Sequence, residues 1–181
     1  MGLEMIIEIL KKASSRGYIG EPVSQLEHAL QAAYFASQDS PQDKPLIAAA
    51  LLHDIGHLVC DETTQYMDEW GVLNHESLGA DFLRKIGFRQ EVCDLVRSHV
   101  LAKRYLVSKF ESYRLKLSEA SLQTLKFQGG IMSFQEIENF EANPLCKSMI
   151  KIRYFDDAAK KTDFEVPPLE SYLTLLNALM I

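Results

Sequence analysis

Apolar residues recur at intervals of three and four along almost the whole chain, and this period limits the possible folds more than any other feature. In the first segment, Leu3, Ile6, Ile7 and Leu10 would line one face of a helix. A half-buried strand needs apolar residues at every second position, and such alternation is nowhere sustained. The sequence therefore predicts an all-α fold.

Turn and capping residues divide the helical pattern. Asn74 would cap one helix, Gly87 would end it, and Gly129-Gly130 predicts a turn. We expect about eight helices, at roughly these positions: 3–16, 23–38, 43–57, 74–86, 89–108, 112–126, 133–160 with a break near Asn143-Pro144, and 168–180. No linker or repeat separates them. With 181 residues of ordinary globular composition, the chain is expected to form one domain over residues 1–181, a helical bundle.

Charge and cysteine content narrow the partners and the compartment. A net charge of −6 argues against nucleic acid as a partner, because phosphate backbones are bound by clustered lysine and arginine. Cys60, Cys93 and Cys146 lack C-x-x-C spacing, which favours free thiols in a reducing cytoplasm. Glu4 and Glu8 interrupt the apolar N-terminus, and no apolar run reaches the ~18 residues that span a bilayer. We expect a cytoplasmic protein without a membrane partner.

Four of the five histidines form an ordered set with two aspartates. The set runs as follows: His28, His53-Asp54, His75, His99, Asp156. Neutral imidazole nitrogens and carboxylates suit divalent transition metals, and one carboxylate can bridge two ions. A single histidine is more often an ordinary buried residue, but the whole set favours a two-metal site. On the predicted helix 43–57, His53 and Asp54 would project about 100° apart, with His57 on the face of His53.

The chain resembles the HD-domain superfamily through this set, and within it the organophosphonate-oxidising HD oxygenases. The closer resemblance rests on four further segments: Tyr18-Ile19-Gly20-Glu21, His99 to Val107 with Lys103, Gln128-Gly129-Gly130, and Lys151-Ile152-Arg153 ahead of Asp156. It implies a mixed-valent Fe(II)/Fe(III) pair that uses O2 to cleave a C–P bond. The implied substrate is of the 1-hydroxy-2-aminoethylphosphonate type, and the products are phosphate and a glycine-like carboxylate.

The resemblance also implies roles for individual residues. One iron would be held by His28, His53, Asp54 and Asp156, and the other by His75, His99 and a bridging Asp54. The phosphonate would contact Lys103 and Arg153. Each lies about one helical turn from an expected metal ligand, and their positive charge suits them to an anion. The phosphonate would further contact His57, Ser121 and Gln128. Tyr18 would fill the open iron position at rest, and Glu21 would face the cationic nitrogen of the substrate. With His57 and Lys103 these two form the expected catalytic group.

Two other functions are compatible with the metal ligands alone. A metal-dependent phosphohydrolase acting on a nucleotide or a phosphate monoester needs the same ligands but no redox metal. Tyr18, Glu21 and Lys103 favour the oxygenase over it. A noncatalytic sensing module is the third interpretation, although the chain shows no effector domain. A trimethylammonium substrate is also open, since Tyr66 or Trp70 could bind such a cation through cation–π contact.

Overall fold

The computed structural model describes residues 2–18 and 20–181, so Ile19 of the Tyr18-to-Glu21 segment lies outside the described residues. Within them the chain forms ten α-helices and short 3₁₀ turns. Extended pairing there is limited to isolated bridges, such as Gly17 with Ser24. The all-α prediction is confirmed.

The helices run in chain order with short connections. Their bounds are α1 Gly2–Lys12, α2 Gln25–Asp39, α3 Lys44–Leu52, α4 His75–Lys85, α5 Gln90–Lys109, α6 Glu111–Arg114, α7 Glu119–Phe127, α8 Phe134–Glu141, α9 Cys146–Ala158 and α10 Leu173–Ala178. Single-turn 3₁₀ segments follow α1 and precede α10.

The predicted helix 43–57 ends early, and this corrects the expected placement of the His-Asp doublet. Helix α3 stops at Leu52, and Ile55–His57 form a 3₁₀ turn. A Cβ on Gly56 would lie 1.8 Å from the carbonyl oxygen of His75, so the turn packs directly on the start of α4. Asp54 therefore sits between two helical segments, and the helical geometry assumed for His53, Asp54 and His57 is wrong.

One other predicted helix and one predicted cap differ from the structure. The segment 112–126 is split into α6 and α7, because the Ser118 side chain accepts a hydrogen bond from the amide of Ser121 and starts a new helix. The break expected near Asn143-Pro144 is confirmed between α8 and α9. Asn74 precedes α4 in a left-handed conformation, but its side chain makes no capping hydrogen bond, so that part of the prediction is wrong.

Helices α2, α3, α5 and α9 form the centre of the molecule. Helix α3 is buried from Leu46 to Leu52, and α5 packs against α3, α4 and α9. The apolar core extends from Ile6 in α1 to Leu179 after α10. No helix in the described part of the chain is long and apolar enough to cross a bilayer. All three cysteines are unpaired, as predicted.

Candidate metal centre

Five structural segments bring the predicted ligands together. His28 lies on α2, His75 begins α4, His99 lies on α5 and Asp156 lies on α9. His53 and Asp54 follow α3. All four histidines and Asp156 are buried. The core helices thus hold at one point residues that are far apart in sequence.

The four histidines form two pairs through their Nε2 atoms. The Nε2 atoms of His28 and His53 are 3.1 Å apart, and those of His75 and His99 are 2.9 Å apart. Each Nδ1 instead lies 2.8–3.1 Å from a backbone carbonyl oxygen. From these partners we assign the proton of each neutral ring to Nδ1. When the rings are neutral, as metal ligands must be, two unprotonated nitrogens face each other within each pair, which suits a cation rather than a hydrogen bond.

Asp54 lies between the two pairs and offers one oxygen to each. Its Oδ2 is 3.7 Å from Nε2 of His28 and 3.4 Å from that of His53. Its Oδ1 is 3.5 Å from Nε2 of both His75 and His99. This division of the carboxylate is what a ligand shared by two ions requires.

Asp156 adds a second carboxylate to the His28–His53 pair only. Its Oδ1 is 3.4 Å from Nε2 of His28 and has no hydrogen-bond partner, although it is buried. Its Oδ2 accepts a 2.7 Å hydrogen bond from Arg153. A buried carboxylate oxygen without a partner is costly, and a metal ion would satisfy it.

The charge of the cluster also fits bound cations. Burial lowers the pKa of His53, but the carboxylates of Asp54 and Asp156 outweigh burial and raise the pKa to about 9. The negative charge of the cluster thus attracts a proton to His53, and a bound cation would satisfy the same charge in place of that proton. Imidazole and carboxylate donors together suit iron, manganese and other transition ions. The donor atoms fall into two groups that each span less than 4.8 Å and share Asp54. The residues therefore fit two metal ions, of which one would have fewer protein ligands.

His57 differs from the other four histidines. Its Nδ1 accepts a 3.2 Å hydrogen bond from the amide of Val72, so we assign its proton to Nε2. Its ring stacks on His75 with centroids 4.0 Å apart and lines the cavity beside the cluster. Burial lowers its pKa. A neutral His57 is thus placed as a hydrogen-bond donor to the cavity, not as a metal ligand.

A cavity of about 60 Å³ adjoins the cluster. Most of the predicted substrate residues contribute to its wall: His57, Lys103, Ser121, Gln128 and Arg153. Lys103 is buried, and its Nζ donates to Thr124 Oγ1 at 2.9 Å. Burial, followed by the Arg153 cation, lowers the pKa of Lys103 to about 7. Gln128 Oε1 is buried without a hydrogen-bond partner, which leaves an acceptor at this wall.

Arg153 reaches the cavity but already has several partners. Besides Asp156, it donates to both oxygens of Asp157, to the Tyr113 hydroxyl at 2.8 Å and to Ser121 Oγ at 3.3 Å. The Tyr113 hydroxyl in turn donates to Asp157 at 2.6 Å. The guanidinium is thus fixed against Asp156, a candidate metal ligand, and the expected role of Arg153 in phosphonate binding did not include this contact.

Tyr18 and Glu21 lie on the loop before α2. The Tyr18 ring lines the cavity and stacks on His28, with centroids 3.9 Å apart. Burial, followed by Asp156 and Asp54, raises its pKa well above the usual value, so the phenol is protonated near neutral pH. Glu21 is not among the cavity residues. Its Oε1 forms an ion pair with Lys160 Nζ at 3.1 Å.

Two residues at or near the site were missed from the sequence: Lys160 lines the cavity, and Asp157 holds Arg153. Trp70, which the sequence suggested for cation binding, also lines the cavity. Lys160 follows Asp156 by four residues and Asp157 follows Arg153 by four, a helical spacing that could have revealed both. Trp70 lies on a short turn without periodicity. Tyr66, its suggested companion in cation binding, is exposed and does not line the cavity.

Fold and cluster together define an all-α protein with a candidate two-metal centre. The family model described as HD domain matches residues 25–125, the part of the chain that contributes four histidines and Asp54 to the centre. The chain belongs to the HD-domain family.

Three relatives are similar along most of the chain. [1-Hydroxy-2-(trimethylamino)ethyl]phosphonate dioxygenase (glycine-betaine-forming) of Leisingera caerulea is 42% identical over 165 residues, covering 91% of this chain and 83% of the relative. Hydroxymethylphosphonate dioxygenase of Gimesia maris is 40% identical over 169 residues, covering 91% and 82%. Uncharacterized protein L432 of Acanthamoeba polyphaga mimivirus is 40% identical over 172 residues, covering 94% and 78%. The resemblance to HD-domain phosphonate oxygenases is confirmed.

Proposed function

We propose that this protein is an oxygenase that uses O2 to cleave the C–P bond of a 1-hydroxyphosphonate, with two iron ions as cofactor. The observation that carries the proposal is the Asp54 carboxylate, which offers one oxygen to each of two histidine pairs. The named activities of the two phosphonate dioxygenases among the relatives support it.

The proposed reaction balances without a further reductant. The C–P bond breaks, the carbon becomes a carboxylate and the phosphorus becomes phosphate. Each gains one oxygen atom, and one molecule of O2 accounts for both and for the four electrons removed. One proton is released. When bound, a mixed-valent Fe(II)/Fe(III) pair would supply the redox chemistry that O2 requires.

The ligand sets suggest different tasks for the two ions. His28, His53, Asp54 and Asp156 would hold one, and His75, His99 and Asp54 the other. An ion with fewer protein ligands keeps positions open for other groups, as catalytic metal sites do. His75 and His99 line the cavity, whereas His28 and His53 do not. Substrate would therefore meet the ion of the His75–His99 pair.

The cavity residues would bind and orient the phosphonate. Lys103 supplies an ammonium group from α5, and His57 donates a hydrogen bond from Nε2. Ser121 and the guanidinium of Arg153, which already donates to Ser121 Oγ, complete the set of donors. Charge-assisted hydrogen bonds of this kind position an anion strongly because Lys103, Ser121 and Arg153 are buried.

Tyr18 would guard the open coordination position until substrate enters. Its placement on a loop beside the cavity permits displacement, and its ring already lies against the ligand His28. The resemblance further implies a 1-hydroxy-2-aminoethyl substrate, with Glu21 meeting the ammonium group. That substrate stays a prediction, because Glu21 is paired with Lys160.

The test is aerobic and anaerobic turnover of the iron-loaded protein. With a 1-hydroxyphosphonate and O2, oxygen uptake and phosphate release should be equal, and both should stop under nitrogen. The rival function, a metal-dependent phosphohydrolase, is indifferent to oxygen. Phosphate release from a monoester at the same rate under nitrogen, without oxygen uptake on hydroxyphosphonates, would decide for the hydrolase.

We also propose that residues 1–181 form one domain, which the continuous core from α1 to α10 supports. The cytoplasmic location and the lack of a nucleic-acid partner stay predictions from cysteine content and charge.

A further inference from the structure

Lys160 is a cation of the cavity wall, and the proposed function assigns no role to it. Its Nζ lies 3.1 Å from Glu21 Oε1, 3.3 Å from Ser118 Oγ and 5.9 Å from the centre of the Tyr18 ring. The side chains of Lys160 and Glu21 are only 15% and 14% exposed. The ion pair is therefore largely shielded from solvent and joins the Tyr18 loop to the end of α9.

The partners of Lys160 are the groups that would recognise an ammonium ion on a substrate. Carboxylates and aromatic faces bind such cations. Glu21 offers the carboxylate and Tyr18 the ring, and Lys160 already contacts both. A second cation at this place would have to displace Lys160 or lie beside it, and close like charges repel.

We infer that Lys160 determines specificity: it acts as a built-in cation and makes the enzyme prefer hydroxyphosphonates without a positively charged nitrogen, such as hydroxymethylphosphonate. The inference rests on the proposed function and refines its substrate. Trp70 is another aromatic residue of the cavity wall, and its ring would be available to a quaternary ammonium group. The test therefore includes the trimethylammonium analogue.

The test compares kcat/KM, from oxygen uptake, for hydroxymethylphosphonate, its 2-aminoethyl counterpart and the trimethylammonium analogue. The wild-type protein should favour hydroxymethylphosphonate over both cationic substrates by at least about tenfold. Lys160→Met frees Glu21 and should shift the ratio towards the amino substrate by about tenfold or more. Adding Glu21→Gln to that variant should abolish the shift, and Lys160→Arg should retain the wild-type preference.

Lys161→Met is the matched control. Lys161 is the next residue, but its Nζ lies over the rings of Phe35 and Phe164 and not at the cavity, so the substrate ratio should stay unchanged. A wild-type preference for either cationic substrate would overturn the inference alone, even if Lys160→Met failed to fold. An unchanged ratio in folded Lys160→Met would also overturn it. A protein that consumes no oxygen with any of the three substrates would overturn the proposed function and the inference with it.

Discussion

The two histidine pairs of the centre differ in their surroundings. His28 and His53 have two carboxylates near them, and Arg153 fixes the second of these, Asp156. The Nε2 atoms of His75 and His99 lie near Asp54 Oδ1, and both side chains line the cavity. The difference teaches that a symmetric set of histidines can provide one position for firm binding and another for chemistry, depending on where the second carboxylate lies.

The largest expected effect comes from the residue that the two positions share. Asp54→Ala should remove both ions and lower turnover more than about 100-fold, beyond the range for residues that only support a ligand. Elemental analysis of the purified protein measures the loss. Asp61→Ala is the control, because Asp61 is exposed and accepts hydrogen bonds from Thr63 and Thr64. This variant should keep two irons per chain. Normal iron content in Asp54→Ala would refute the shared ligand.

A second pair of variants should separate the two positions. Lys103→Ala should leave both ions bound. It should weaken substrate binding by about 1.5–3 kcal/mol, which raises KM roughly 10- to 150-fold, because one charge-assisted hydrogen bond is lost. Arg153→Ala should also reduce iron content, because Asp156 loses the hydrogen bond that orients it. KM and iron per chain are the measurements.

Lys109→Ala is the control for Lys103→Ala, because Lys109 lies on the same helix and pairs with Glu141 at the surface. It should change neither value. Full iron content in Arg153→Ala would mean that Arg153 serves the substrate alone, as the sequence had suggested.

The pH dependence should sharpen the role of Lys103. Its pKa of about 7 means that the ammonium form, which binds the anion, is lost as pH rises above 7. Because the ammonium form of Lys103 is lost, kcat/KM should fall roughly fivefold between pH 7 and pH 8. Lys103→Arg keeps its charge across this range and should not show that fall. An identical pH profile in both proteins would exclude Lys103 as the titrating group.

The smallest effect is expected at Tyr18. Tyr18→Phe should retain both ions and its ring should still stack on His28, but the iron spectrum before substrate addition should change because the phenol oxygen is gone. Electron paramagnetic resonance of the resting protein measures it. Tyr66→Phe alters an exposed tyrosine outside the cavity and should leave the spectrum as it is. Identical resting spectra for wild type and Tyr18→Phe would refute the guarding role.

Much of the fold could be predicted because helical periodicity and turn residues are local signals. The end of α3 could not, since it depends on Gly56 packing against the carbonyl of His75, a contact between distant segments. The apolar run up to Leu52 gives no sign of that contact. The split at Ser118 is different, because a serine cap is a local signal and the start of α7 could have been predicted from it.

The ligand set was easier to predict than the substrate wall. Six ordered histidine and aspartate positions are specific to metal chemistry, and the structure brings all of them together. Glu21 shows the limit of a role carried over from a resemblance, because its partner Lys160 follows it by well over 100 residues. Ion pairs between distant segments leave no local pattern in the sequence. The pairing of Glu21 with Lys160 is therefore visible only in the structure.

The measurement that tests the account most directly is the Mössbauer spectrum of protein loaded with ⁵⁷Fe, combined with iron per chain. Two unequal ligand sets joined by Asp54 predict two irons per chain and two iron signals of equal area. The proposed Fe(II)/Fe(III) cofactor further predicts that the two irons are magnetically coupled. A protein that retains at most one iron per chain, or whose irons show no coupling, would contradict the two-metal centre.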